Sequence, residues 1–121
     1  MRYQSVSEKL GIFHNTFNHP VDIEYPSLCI LRRKLIEEEY NEVIEAIETK
    51  KDDKVLKELC DLVYVCVGMA ATYGWDFDTA FNRVHSSNMS KLDDDGKPIY
   101  REDGKVLKSK NYKPPYLSDL V

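Results

Sequence analysis

Two pairs of acids carry the strongest chemical signal in the sequence: Glu39 with Glu42, and Glu58 with Asp61. Within each pair the spacing is three residues. On a helix that spacing turns both carboxylates to one side, about 60° apart. Both pairs also fall on stripes that are otherwise apolar. Leu28, Leu31 and Leu35 lead, by steps of three and four, into Glu39, Glu42 and Ala46. Glu58 and Asp61 lead by the same steps into Val65 and Met69. Acids thus stand where core residues belong. Fifteen residues lie between Glu42 and Glu58, enough for one helix to end, turn and return antiparallel. Four carboxylates in the resulting groove would repel one another and lose hydration. A divalent cation relieves both costs, and hard oxygen donors select Mg²⁺, with Mn²⁺ as its common substitute. The plain alternative is a solvated acidic face, which Glu-rich helices often carry. Glu37, Glu45 and Glu48 read that way. Glu38 sits about 100° round the helix from Glu39, as a group behind the ligands or one that positions a water.

A second departure from pattern lies further on. The apolar series Phe77, Phe81 and Val84 continues into Asn88, with Lys91 one turn later. An inward amide needs partners, and a lysine beside it offers positive charge to phosphate oxygens; the bland reading is a capped, fraying helix end. His14, Phe13, Phe17 and Trp75 are candidates for stacking on a nucleobase or reading its edge, although Phe13 and Phe17 fit a core equally well. Other chemistries are absent. No acid stands three residues before His14, His19 or His85, which a di-iron carboxylate bundle requires. No Gly-x-x-x-x-Gly-Lys loop is present, so a P-loop nucleotidase is excluded.

The elements that must hold these groups are helical. Val6, Leu10, Phe13 and Phe17 predict a short helix over residues 4–18, ended at His19-Pro20. After a loop with Pro20 and Pro26, a long helix is expected from Ser27, as N-cap, to Lys50. Lys50 to Asp53 form a polar break. A third helix runs from about Asp53 to Tyr73 with Gly74 as its C′ residue. Asp76 or Asp78 caps a fourth, ending near Lys91. Asp103-Gly104 between Lys97-Pro98-Ile99-Tyr100 and Lys105-Val106-Leu107-Lys108 predicts a β-hairpin. The expected fold is all-α, a four-helix-bundle-like domain over residues 1–91 that carries the site. Residues 92–121 form a C-terminal extension, not a domain of their own.

Bulk properties narrow the function. The 121 residues suffice for one core. The net charge of −4 and pI near 5.4 argue against a non-specific nucleic-acid binder. An acidic chain that handles phosphates needs a cation between them. Cys29, Cys60 and Cys66 have neither disulfide-framework nor zinc-ribbon spacing and are expected as buried thiols. The opening Met1-Arg2-Tyr3-Gln4-Ser5 does not read as a signal peptide. The longest apolar run, Leu62 to Ala71, is too short to span a membrane. Together these predict a cytoplasmic protein.

Arg32-x-x-Leu35-Ile36-x-Glu38-Glu39-x-x-Glu42 followed by Glu58-x-x-Asp61 resembles the all-α nucleoside-triphosphate pyrophosphohydrolases, that is, the MazG-like proteins, phosphoribosyl-ATP pyrophosphohydrolases and dimeric dUTPases. Phe13-His14-x-x-Phe17 with Pro20 is similar to the opening of the phosphoribosyl-ATP pyrophosphohydrolase-like branch, and Asn88-x-x-Lys91 to the polar exit of its last helix. The likeness covers residues 13 to 91. It implies a homodimer or homotetramer that hydrolyses a nucleoside triphosphate to the monophosphate and pyrophosphate. On this expectation Glu39, Glu42, Glu58 and Asp61 hold Mg²⁺, and Glu39 or Glu38 orients or deprotonates the water. Asn88, Lys91, His14 and Trp75 contact substrate. Phosphoribosyl-ATP is the alternative substrate, and a non-enzymatic helical interaction module the alternative function.

Overall fold

The computed structural model describes residues 3–121. Met1 and Arg2, the start of the segment read above as no signal peptide, lie outside them. The described chain is all-α apart from one small hairpin: α1 (Val6–Thr16), α2 (Cys29–Thr49), α3 (Asp52–Thr72) and α4 (Phe77–Met89), then β1 (Ile99–Tyr100), β2 (Val106–Leu107) and a 3₁₀ turn at Ser118–Leu120. No helix among the described residues is long and apolar enough to cross a membrane. The residues fall into two compact units, one ending at Phe77 and one spanning Asp78–Val121.

In the first unit α3 is the central helix, with α1 and α2 both packed on it. Local chemistry sets the ends of each helix. Ser5 and Glu8 close a reciprocal capping box at the start of α1, satisfying donors that a helix N-terminus leaves bare. Only Lys50 and Lys51 separate α2 from α3, so the two helices must fold back as an antiparallel hairpin. Lys50 takes the left-handed conformation at φ 58° to make the turn. Asp52 and Asp53 occupy the first turn of α3, where negative charge meets the positive end of the helix dipole. At its far end Gly74, at φ +68°, is the predicted C′ residue. Its N–H donates to the Ala71 carbonyl and that of Trp75 to the Ala70 carbonyl, closing a Schellman motif.

Three details depart from the sequence reading. Helix α2 starts at Cys29 behind a left-handed Leu28, not at a Ser27 cap; the Ser27 carbonyl instead accepts from the Tyr73 hydroxyl at 2.7 Å. Of the three thiols Cys60 is exposed and Cys29 and Cys66 are half-buried, because Cys60 lies off the α3 stripe. Leu31 of the α2 stripe remains exposed, as do Ile47 of α2 and Leu59 of α3. The buried residues of α2 are Arg32, Val43 and Ala46.

In the second unit the chain after α4 returns along that helix. The Arg83 guanidinium forms a two-point ion pair with the Asp119 carboxylate at 2.6 and 3.1 Å and also donates to the Tyr116 carbonyl. The Ser87 hydroxyl donates to the Lys113 carbonyl at 2.6 Å, and the Lys113 N–H to the Ser90 hydroxyl. The predicted hairpin forms, antiparallel, with Ile99 opposite Leu107 and Tyr100 opposite Val106; its turn carries Gly104 at φ +90°.

Candidate functional site

The register of the α2–α3 hairpin decides which groups meet. Each step up α2 is matched by a step down α3. Tyr73 bonds Ser27 at one end, Arg32 lies against Gly68 in the middle, and the two acid pairs come together further along. One carboxylate oxygen from each of Glu39, Glu42, Glu58 and Asp61 lies within 4.8 Å of those of the others. Glu39, Glu58 and Asp61 are half-buried, and Glu42 stands at the exposed rim.

Two oxygens in this cluster, Oε2 of Glu39 and Oε2 of Glu58, are buried without a hydrogen-bond partner. A buried carboxylate oxygen with no donor is costly, and here two of them share one cluster. The cation against the cluster is Lys57, whose Nζ reaches Asp61 Oδ2 at 2.6 Å and Glu58 Oε1 at 3.3 Å. These hydrogen bonds hold the Lys57 ammonium well above the usual lysine range. Its side chain is largely exposed, and it leaves Glu39 and Glu42 unserved. Four hard oxygen donors, two of them with orphaned buried oxygens, are the donor set that Mg²⁺ or Mn²⁺ takes. The residues present therefore fit a divalent cation. Glu38 is exposed and stands outside the cluster of four.

His14 and Trp75 belong to the same helical unit but to its other end. His14 is almost fully buried, and its Nδ1 lies 3.1 Å from the Pro20 carbonyl. A carbonyl only accepts, so Nδ1 carries the proton and Nε2 keeps a free lone pair. Burial is the main cause of its lowered pKa; the Arg32 charge lowers it further, against the Pro20 bond. Trp75 packs with Tyr25 and Tyr73 at ring separations of 5.9 and 5.0 Å. Of the two aromatics read as core or base wall, Phe13 is half-buried against Tyr64 while Phe17 is exposed. In the second unit Asn88 is exposed at the end of α4 and Lys91 is half-buried just beyond it.

Arg32 was legible only as part of a motif. The structure buries it to 4% exposure. Its position on the Leu28–Leu35–Glu39 face was the available signal: four residues after Leu28 and three before Leu35, it points toward the core by the same periodicity that marks the acids.

The chain is 28% identical, over 115 residues, to an uncharacterized protein of Acanthamoeba polyphaga mimivirus, covering 88% of this chain and 42% of that relative. It thus spans less than half the length of the curated relative it matches. The profile of the family described as phosphoribosyl-ATP pyrophosphohydrolase matches residues 11–88. That stretch holds all four clustered acids, His14, Trp75 and Asn88, and stops short of Lys91. With more than half of its length matched and an all-α fold around the acid cluster, the chain belongs to the phosphoribosyl-ATP pyrophosphohydrolase family, within the all-α nucleoside-triphosphate pyrophosphohydrolase (MazG-like) superfamily.

Proposed function

We propose that this protein hydrolyses a nucleoside triphosphate to the monophosphate and pyrophosphate, with Glu39, Glu42, Glu58 and Asp61 holding Mg²⁺. The convergence of these four acids, two with orphaned buried oxygens, carries the reading. When bound, the cation supplies a positive anchor for the phosphate oxygens and neutralises charge that develops on them. The rest is work for the chain's own groups. Glu39, or Glu38 beside it, orients the attacking water and accepts its proton. The water oxygen bonds to phosphorus as the anhydride between the α- and β-phosphates breaks, and pyrophosphate leaves. Lys91 contacts a phosphate, and Asn88 a phosphate or the base. His14 and Trp75 serve the nucleoside end. The catalytic machinery on this reading runs through residue 91, with residues 92–121 as an extension, and it works as a homodimer or homotetramer.

Phosphoribosyl-ATP is the second reading, favoured by the family match over residues 11–88. Pyrophosphate release from a panel of nucleoside triphosphates and phosphoribosyl-ATP, with Mg²⁺ or Mn²⁺, separates the two. Asp61→Asn should abolish metal-dependent turnover, a loss larger than the roughly 10–100-fold typical when a partner behind a metal ligand is removed. Near-normal turnover by Asp61→Asn would end the assignment.

A further inference from the structure

Lys57 places a positive charge on the very cluster that is proposed to take a divalent ion. It immediately precedes Glu58 on α3 and lies one turn before Asp61. Its Nζ sits 2.6 Å from Asp61 Oδ2 and 3.3 Å from Glu58 Oε1. Neighbours in sequence on a helix do not face each other. The contact with Glu58 therefore means that the ammonium is drawn back over the cluster rather than extended into water. The side chain is nonetheless 66% exposed, and among the described residues no other ion pair holds it. It can leave the cluster without uncovering buried surface.

One ammonium answers half of the cluster. Glu58 and Asp61 of α3 each give it an oxygen, while Glu39 and Glu42 of α2 have no cation within ion-pair distance among the described residues. Oε2 of Glu39 and Oε2 of Glu58 stay buried without a partner. In the metal-free protein Lys57 thus offsets part of the repulsion among four carboxylates whose oxygens lie within 4.8 Å of one another. A divalent cation needs the same Glu58 and Asp61 groups. Two cations crowded onto one pair of carboxylates repel each other. The exposed ammonium, which regains its hydration on leaving, is the one free to move.

We propose that Lys57 is a positioning residue acting through Glu58 and Asp61: its ammonium holds them together in the metal-free protein and is displaced when a divalent cation binds. Affinity for the metal then carries the cost of breaking both ion pairs, and Lys57 sets the concentration at which the site fills. The proposal rests on the reading of the four acids as a metal site. Lys54 supplies the internal comparison. It lies on the same face of α3, four residues before Glu58, yet makes no ion pair among the described residues.

Mn²⁺ binding to the full-length protein, read from the electron paramagnetic resonance of the free ion at fixed ionic strength, tests this in wild type, Lys57→Met, Lys54→Met and Asp61→Asn. Lys57→Met should bind at least about fivefold tighter. Lys54→Met, which removes a charge that solvent and salt already screen, should change affinity by less than about twofold. Asp61→Asn should lose binding. Melting temperatures give a second readout. Lys57→Met should melt below wild type without metal, because the acids have lost their counter-cation, and the gap should close or reverse at saturating Mn²⁺. A merely structural helix pair would cost the same with and without metal. Lys57→Gln, which keeps a polar side chain, should repeat both results. Equal affinity in wild type and Lys57→Met, or a gain that Lys54→Met matches, overturns the proposal and leaves the metal site standing. A wild type that takes up no Mn²⁺, or an Asp61→Asn that binds it as wild type does, overturns the metal reading itself and this proposal with it.

Discussion

His14 gives the residue scale its clearest consequence for stability. Burial, with the Arg32 charge, lowers the pKa of its imidazole below the ordinary value of 6.5, and His19 adds to the same direction. The unfolded chain therefore binds a proton at a pH where the folded chain does not. Stability tied to His14 is present above the unfolded pKa and is lost as pH falls below it. Urea midpoints measured from pH 7.5 to 5 should fall in the wild type and fall less in His14→Asn. Parallel decline in both would remove His14 as the cause. At this same scale the acids were legible in the sequence, because a metal cluster needs residues of one chemical type at helical spacing. Arg32 was not, because a sequence shows that a charge lies on an inward face without showing that nothing answers it there.

Among the elements, the α2–α3 hairpin was readable because two lysines between long periodic runs leave the chain little choice but to return. Gly74 was readable too, since its φ of +68° is one that side-chain-bearing residues rarely adopt. The α1 capping box escaped notice although Ser5-x-x-Glu8 is its standard spacing; apolar periodicity drew the helix start instead. Exposure of Asn88 and of Phe81 on α4 was also unforeseen, since periodicity names a face and does not say whether the chain covers it. Residues 92–121 were legible as an extension of the helical domain, whereas the particular contacts that hold their end on α4 are ones no local pattern announces. Ser87 is the buried member of those contacts, with its hydroxyl on the Lys113 carbonyl. Ser87→Ala should cost about 1 kcal/mol, the usual net value of one such hydrogen bond, and should speed amide exchange at residues near Lys113. Unchanged exchange there would mean that the Arg83 contacts to Asp119 and Tyr116 and the Lys113–Ser90 hydrogen bond hold the tail without Ser87.

For the whole molecule, the amount of apolar surface left uncovered is the deciding quantity. Among the described residues the buried apolar side chains are Leu10, Val43, Ala46, Val67, Ala70 and Tyr73. Two of these six are alanines, a thin core for a domain whose surface-to-volume ratio already limits burial. Meanwhile Leu56, Leu59 and Val63 of α3 and Ile44 and Ile47 of α2 are exposed. Val6, Leu10, Leu59, Val63 and Tyr64 line an almost wholly apolar groove of about 290 Å³. Contiguous apolar surface of this kind suits an association site, and in the proposed homodimer or homotetramer a second copy of the chain would cover it and extend the core. Sedimentation should accordingly give a mass of at least twice the 14.1 kDa of one chain. Because association stabilises by mass action, the melting temperature should rise with protein concentration. Val63→Glu places a charge in the groove and should yield a less stable monomer whose melting temperature no longer depends on concentration. A wild-type chain that sediments as a monomer, with a concentration-independent melt, would show that the six buried side chains suffice and that the groove serves some other contact.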